Sequence, residues 1–216
     1  MKIHIISIFP EAFESYFASS ILGRALEKKL FEVTFYKLND FSSKNFGQVD
    51  DKAYGMHGQV ISPEPLSKAI EHVFEQVWKK IPVIYMSPSG ALLTQQKTEQ
   101  YAQNLDECII ICGHYEWIDQ RIIDYYGVEC VSIWEYVLSS GELAAMVLID
   151  SIVRHIPEVL WNPQSLQEDS FSEKLHRQKE YPVYTRPEKI LGLEVPAVLR
   201  SWNHSKIDAW KHDNLR

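Results

Sequence analysis

This 216-residue chain is short of cysteine, of basic charge and of long apolar runs. Its three cysteines, Cys108, Cys112 and Cys130, cannot all pair, and no Cys/His spacing of the zinc-binding type links them. That excludes a disulfide framework and points to a reducing, cytoplasmic setting with no metal ligands among the cysteines. No apolar run approaches the roughly 20 residues that a membrane span needs. The apolar start, Met1 to Pro10, is too short for a signal sequence and lacks a small-residue cleavage site, so it reads as a first strand. There is no dinucleotide fingerprint and no phosphate-cradling loop with its lysine. Lys and Arg total 22 against 29 Asp and Glu, a net charge of −7, which argues against a generic nucleic-acid-binding domain and leaves room only for a local basic patch. No internal repeat or low-complexity tract is visible.

Hydrophobic residues are 45% of the chain, enough for one sizeable domain with or without a small appendage. Lys2 to Phe9 alternates and Pro10 stops it, which predicts a strand and then a helix from about Glu11. Ile21 to Leu26 predicts a second short helix and Phe31 to Leu38 a second strand. Asn39 to Gly58 is polar and reads as a long loop. Pro65 to Lys79 predicts an amphipathic helix. Ile81 to Met86 predicts a buried strand, broken by Ser87-Pro88-Ser89-Gly90. Thr94 is placed to cap a polar helix running to Ala102. Cys108 to Cys112 and Val128 to Ile133 predict two more strands, with a short helix from Arg121 to Tyr126 between them. Leu143 to His155 predicts an apolar helix. Strands alternating with helices mean an α/β fold with a largely parallel sheet. From Pro157 the pattern changes. Trp161 to Asp169 reads as a mobile linker, Val195 to Leu199 as short and extended, and Ser205 to Leu215 as a polar helix, together a small second domain.

The chemistry concentrates at two strand ends. Cys112-Gly113-His114-Tyr115-Glu116-Trp117 and Ile133-Trp134-Glu135-Tyr136 each place a carboxylate and aromatics in a polar loop. In an open α/β sheet, such loops are where ligands bind. Cys112 reads as a small buried hydrophobe, because no basic neighbour activates it. Asp150 and Arg154, four apart near the end of a helix, are either an intrahelical pair or a clamp for a phosphate or carboxylate. Asp169, in Glu168-Asp169-Ser170-Phe171, is either a helix cap or a general base carried on a mobile loop. Val49-Asp50-Asp51-Lys52-Ala53-Tyr54-Gly55 is either a solvated loop or a holder of a metal or base.

These features, in order and over nearly the full length, resemble the bacterial tRNA (guanine-N1)-methyltransferases of the SPOUT class. The resemblance rests on Ile5 to Glu11, Gly23-Arg24-Ala25, Val49-Asp50-Asp51, Tyr54-Gly55, Ser87-Pro88, Gly113 with Tyr115-Glu116, and Ile118-Asp119 with Arg121. It continues through Tyr136 to Ser139, Gly141-Glu142-Leu143, Leu148 to Ser151, Arg154, Ile156-Pro157, Glu168 to Phe171, Tyr184 to Pro187, Glu194-Val195-Pro196 and Asn203-His204. It implies a trefoil-knotted α/β domain over residues 1–160, a flexible linker over 161–172 and a small C-terminal tRNA-binding domain over 173–216. It also implies a homodimer with its active site at the subunit interface, and no association with membranes.

The implied reaction is methyl transfer from S-adenosylmethionine to N1 of the guanosine just 3′ of the anticodon. The cofactor loops carry over to Tyr85, Met86, Ser87 and Pro88; to Gly113, His114, Tyr115, Glu116 and Trp117; and to Ile133, Trp134, Tyr136, Leu138, Ser140 and Gly141. Asp169 carries over as the base for the N1 proton and Arg154 as the residue that orients the base or balances its charge. Asp50, Tyr54, Ser170, Arg186, Asn203 and His204 carry over as contacts to the tRNA anticodon arm. Family members can need Mg2+, although no protein ligand for a metal is implied.

Four positions depart from the family. Trp117, Trp134 and Ser140 stand where glycine is usual, and His114 where arginine is. Glycine allows close backbone approach, whereas an indole brings bulk to the same place. The chain also ends soon after Asn203-His204, which implies an abbreviated tRNA-gripping domain. The competing readings are a SPOUT methyltransferase with another RNA substrate, and a non-catalytic or cofactor-impaired dimeric RNA-binding protein of the same fold.

Overall fold

The computed structural model describes residues 1–55, 57–162 and 165–216. In chain order the elements are β1 (Lys2–Ser7), α1 (Glu14–Phe17), α2 (Ser20–Glu27), β2 (Glu32–Lys37), β3 (Asp50–Lys52), β4 (Gln59–Ile61), α3 (Pro63–Val77), β5 (Val83–Leu92), α4 (Gln95–Asn104) and β6 (Glu107–Cys112). Then come β7 (Trp117–Ile118), α5 (Gln120–Tyr126), β8 (Glu129–Ser132), α6 (Gly141–Val153), α7 (Ser165–Glu168), β9 (Lys189–Ile190), β10 (Leu193–Glu194) and α8 (His204–Asp213). The chain forms two compact units, residues 1–161 and 162–216.

Five parallel strands in the order β2-β1-β6-β5-β8 make the central sheet of the first unit. The run Cys108-Ile109-Ile110-Ile111-Cys112 has no polar alternation because both sheet faces are covered. Cys108, Ile110 and Cys112 pack with α2, α4 and α6, whereas Ile109 and Ile111 pack with α3 and α5. Period-two side-chain alternation thus feeds two cores from one apolar run. Thr94 caps α4 as expected, its side chain accepting the Lys97 N–H.

Three expectations change, and a fourth, the linker, gains detail. β5 does not stop at Met86. Both Met86 and Ala91 register with Val131 of β8, so residues 87–90 form an excursion inside one strand. Gly90 makes this possible, since a Cβ there would lie 2.4 Å from the Cys130 carbonyl carbon. The stretch 39–58 is not all loop either, because β3 pairs antiparallel with β4, which runs parallel to β7. In the second unit, α7 occupies four residues of the expected linker, of which residues 163 and 164 lie outside the described residues. Residues 197–200 form a turn of 3-10 helix where extended chain is expected.

Candidate active site

The excursion of β5 after Met86 and the loops after Cys112 and Ser132, at the carboxyl ends of β6 and β8, meet in a cleft. Tyr85, Met86, Ser87, Pro88, Gly113, His114, Tyr115, Glu116, Trp117, Ile133, Trp134, Tyr136, Leu138, Ser140 and Gly141 all line it. Two glycines set its shape. The Gly141 N–H donates to the Gly113 carbonyl at 2.7 Å. A Cβ on Gly141 would lie 2.5 Å from the Gly113 nitrogen, and one on Gly113 would lie 2.7 Å from the Tyr85 hydroxyl. No other residue fits this backbone-to-backbone joint without displacing it. Tyr115 turns the loop with φ of 61°, the left-handed region that glycine would occupy without strain. The cleft encloses about 90 Å³.

The departures from the family pattern sit on its walls. Trp117 belongs to β7 and packs edge-on against Tyr85. Trp134 is 55% exposed. The His114 ring meets Phe9 and Tyr115 at centroid distances of 5.3 and 5.0 Å, and its Nδ1 is buried without a hydrogen-bond partner. Beside the cleft, the Tyr115 hydroxyl is directed at the Asp50 carboxylate. Burial first, and then that carboxylate, push the Tyr115 phenol up. Asp50 is only 5% exposed, so this member of the 49–55 segment is not a solvated loop residue. Tyr54, by contrast, is fully exposed and lines an open groove with Lys44, Lys52 and Arg121.

Arg154 is half-buried at the C-terminal end of α6, in the first unit. The Asp150 carboxylate accepts a hydrogen bond from Tyr16 at 3.1 Å. Asp169 is in the second unit and comes after α7, so it does not open a helix as a cap would. Its N–H donates to the Ser165 carbonyl. Ser170 Oγ accepts the Glu180 N–H at 3.1 Å. Asn203 caps α8 through the Lys206 N–H, His204 is the first residue of that helix, and Arg186 is exposed on the turn-rich segment before it.

Two carboxylates that the sequence shows only as parts of motifs, with no role, have partners in the structure. Glu142, 3% exposed at the start of α6, accepts a 2.6 Å hydrogen bond from Ser7 Oγ, which in turn accepts the Phe9 N–H. Glu168 draws donors from Tyr181, Lys174 and Lys211. Neither has a local signal, because its partners are distant in sequence. The Cys112 thiol is pushed up by burial and by Glu142, which bears out its reading as a packed hydrophobe. Among the described residues, no cluster of three or more His, Cys, Asp or Glu side chains suits a metal ion, and no helix is long and apolar enough to cross a membrane.

The family described as tRNA (Guanine-1)-methyltransferase TrmD matches residues 1–216. The chain belongs to this family. A Clostridioides difficile relative, called a tRNA (guanine-N(1)-)-methyltransferase, is 43% identical over 215 residues, covering 99% of this chain and 91% of its own. An Oceanobacillus iheyensis relative of the same description is 44% identical over 212 residues, with coverages of 98% and 85%. The crystal structure of a tRNA (m1G37) methyltransferase from Aquifex aeolicus superposes with a TM-score of 0.79 at 33% identity, covering 98% of this chain and 88% of that one. The fold is therefore that of the SPOUT methyltransferases, and the family is one of enzymes, which disfavours the non-catalytic alternative.

The lining of the cleft has features that a nucleoside-like group can use. Two Cβ-free backbones form its floor, Leu138, Ile133 and Pro88 supply apolar wall, and the orphaned His114 Nδ1 offers a polar contact. Its enclosed volume is below the roughly 300 Å³ at which small-molecule pockets begin, and Trp134 stands among its lining residues. The described residues present no comparable donor set for Mg2+.

Proposed function

We propose that the chain methylates N1 of the guanosine just 3′ of the anticodon in tRNA, using S-adenosylmethionine held in the cleft of Gly113 and Gly141. The convergence of the β5 excursion and the loops after β6 and β8 on that cleft, in a chain matched by the family over its whole length, carries this reading.

S-adenosylmethionine, when bound, would supply an electrophilic methyl group for N1, with the thioether as leaving group. This chain's own residues do the rest. Backbone and apolar groups from residues 85–88, 113–117 and 133–141 would hold the cofactor and fix its position relative to the base. Asp169 accepts the N1 proton, which the neutral guanine must lose as the new bond forms. Arg154 orients the base and balances negative charge developing on it. Asp50 and Tyr54 in the first unit, and Ser170, Arg186, Asn203 and His204 in the second, contact the anticodon arm.

The finer architecture fits the same reading. The trefoil knot comes with the family likeness, and Gly141 packs against Cys112 and Gly113 where that knot would lie. Leu143 and Val147 expose an apolar edge of α6, which supports a homodimer with the active site at its interface. Residues 1–160 carry the methyl-transfer site, 161–172 the linker and 173–216 the tRNA grip, in a cytoplasmic protein.

Calorimetry with S-adenosylmethionine and S-adenosylhomocysteine, followed by methyl transfer to unmodified tRNA, tests the proposal. Saturable binding and methylation at a single guanosine are expected, with Asp169→Asn lowering the rate at least a hundredfold. No binding heat at millimolar ligand would overturn the reading.

A further inference from the structure

The four-residue helix α7 is too short to hold its own orientation. The segment after it is pinned by neighbours in the second unit. The Phe171 N–H donates to the Gln178 carbonyl at 2.7 Å and the Arg177 guanidinium to the Phe171 carbonyl at 3.0 Å. Ser172 Oγ reaches back to the Gln167 carbonyl at 2.8 Å. The last residue of α7 is Glu168, next to Asp169. Its Oε2 accepts from the Tyr181 hydroxyl at 2.7 Å and from Lys211 Nζ on α8 at 3.0 Å, and its Oε1 accepts from Lys174 Nζ at 3.2 Å. Lys211 also lies over the Tyr181 ring, 4.9 Å from its centroid, and Tyr181 and Tyr184 pack edge-on to Trp210 of α8.

An exposed Lys–Glu pair usually contributes little, because water screens it and long side chains lose entropy on pairing. Glu168 differs in kind. One carboxylate gathers donors from three separate segments, one of them already fixed by aromatic packing. The Tyr181 hydrogen bond first, and then Lys211 and Lys174, hold its carboxyl down at about 2.

We propose that Glu168 is the positioning residue for Asp169, fastening the segment that carries the proposed base to α8. The inference rests on the reading of Asp169 as base and extends it to a residue that touches no substrate. The helix that the reading assigns to gripping tRNA and the group assigned to removing the proton then move as one body.

Glu168→Ala and Lys211→Met in the full chain test this, with hydrogen exchange of amides 169–172 and a split of kcat from KM. In Glu168→Ala those amides exchange at least tenfold faster while α6 is unchanged. The single-turnover rate falls at least tenfold, and the Kd for S-adenosylmethionine stays within twofold. Lys211→Met gives smaller shifts in the same direction, because Tyr181 and Lys174 still reach the carboxylate. Unchanged exchange, or a rate within twofold of the parent, overturns the proposal. Asp169→Asn run alongside separates the two ideas. If it stays active the base assignment falls, whereas an inactive Asp169→Asn beside an active Glu168→Ala sinks the positioning role alone. Exchange decides whether the tether exists even if the parent transfers no methyl group.

Discussion

Trp117 meets Tyr85 edge-on, with ring planes at 90° and centroids 5.5 Å apart. The indole is thus part of the packing behind β5 and the second core, held further by the pairing of Trp117 with Val60. Trp117→Ala is expected to lower unfolding stability by about 2 kcal/mol, less than for a fully buried Trp because this ring is only half-buried. Denaturant unfolding measures it.

Trp134 is the opposite case, half-exposed at the cleft mouth. Trp134→Ala should change stability by no more than about 0.5 kcal/mol. Relief of the narrow cleft should tighten S-adenosylmethionine binding severalfold, as read by calorimetry.

Gly141→Ala brings a methyl group 2.5 Å from a backbone nitrogen and 2.9 Å from the Cys112 Cα, neither of which can swing aside as a side-chain end would. Two loops must part. We expect a loss of about 2 kcal/mol or more and abolished cofactor binding, with thermal unfolding and calorimetry as readouts.

The ties on Glu168 predict acid sensitivity in the second unit. Its folded value, about 2, lies below the ordinary 4.5. The stabilisation from these bonds is complete above about pH 4.5, and falls away as pH drops toward 2. Exchange of amides 169–172, corrected for intrinsic rates, should quicken across that pH window in the parent. In Glu168→Gln those amides should exchange quickly at both ends of the window, so that the parent's added protection above about pH 4.5 is missing.

The strand at Glu107–Cys112 is legible because burial on both faces leaves an apolar run, and that at Lys2–Ser7 because its residues alternate until Pro10. β3 is not. Asp50-Asp51-Lys52 has no apolar alternation, and only pairing with Gln59–Ile61 makes it a strand. β5 misled for a related reason, since Ser87-Pro88-Ser89-Gly90 has the composition of a loop while the strand resumes in register beyond it. The cleft residues were legible through family likeness. The Asp50–Tyr115 contact and the Glu168 hub were not, because nothing local in sequence announces partners that only the fold brings together.

Burial holds the Cys108 thiol up at about 12, and Cys112 and Cys130 are also raised. All three stay protonated at neutral pH, and the thiolate is the reactive form. Titration of the native protein with a thiol-reactive disulfide at pH 7.5 should show only slow reaction, at the half-buried Cys130, with three thiols appearing at once on unfolding.

The hydrogen bond between Gly141 and Gly113 also has a temporal meaning. β1 must wait for β6, since Lys2 pairs with Glu107, and the cleft must wait longer, until α6 has come into place after β8. Such non-local pairing slows folding. A ligand of the cleft binds only the finished chain, so mass action lets it protect the native protein against unfolding while offering no help to a partly synthesised one.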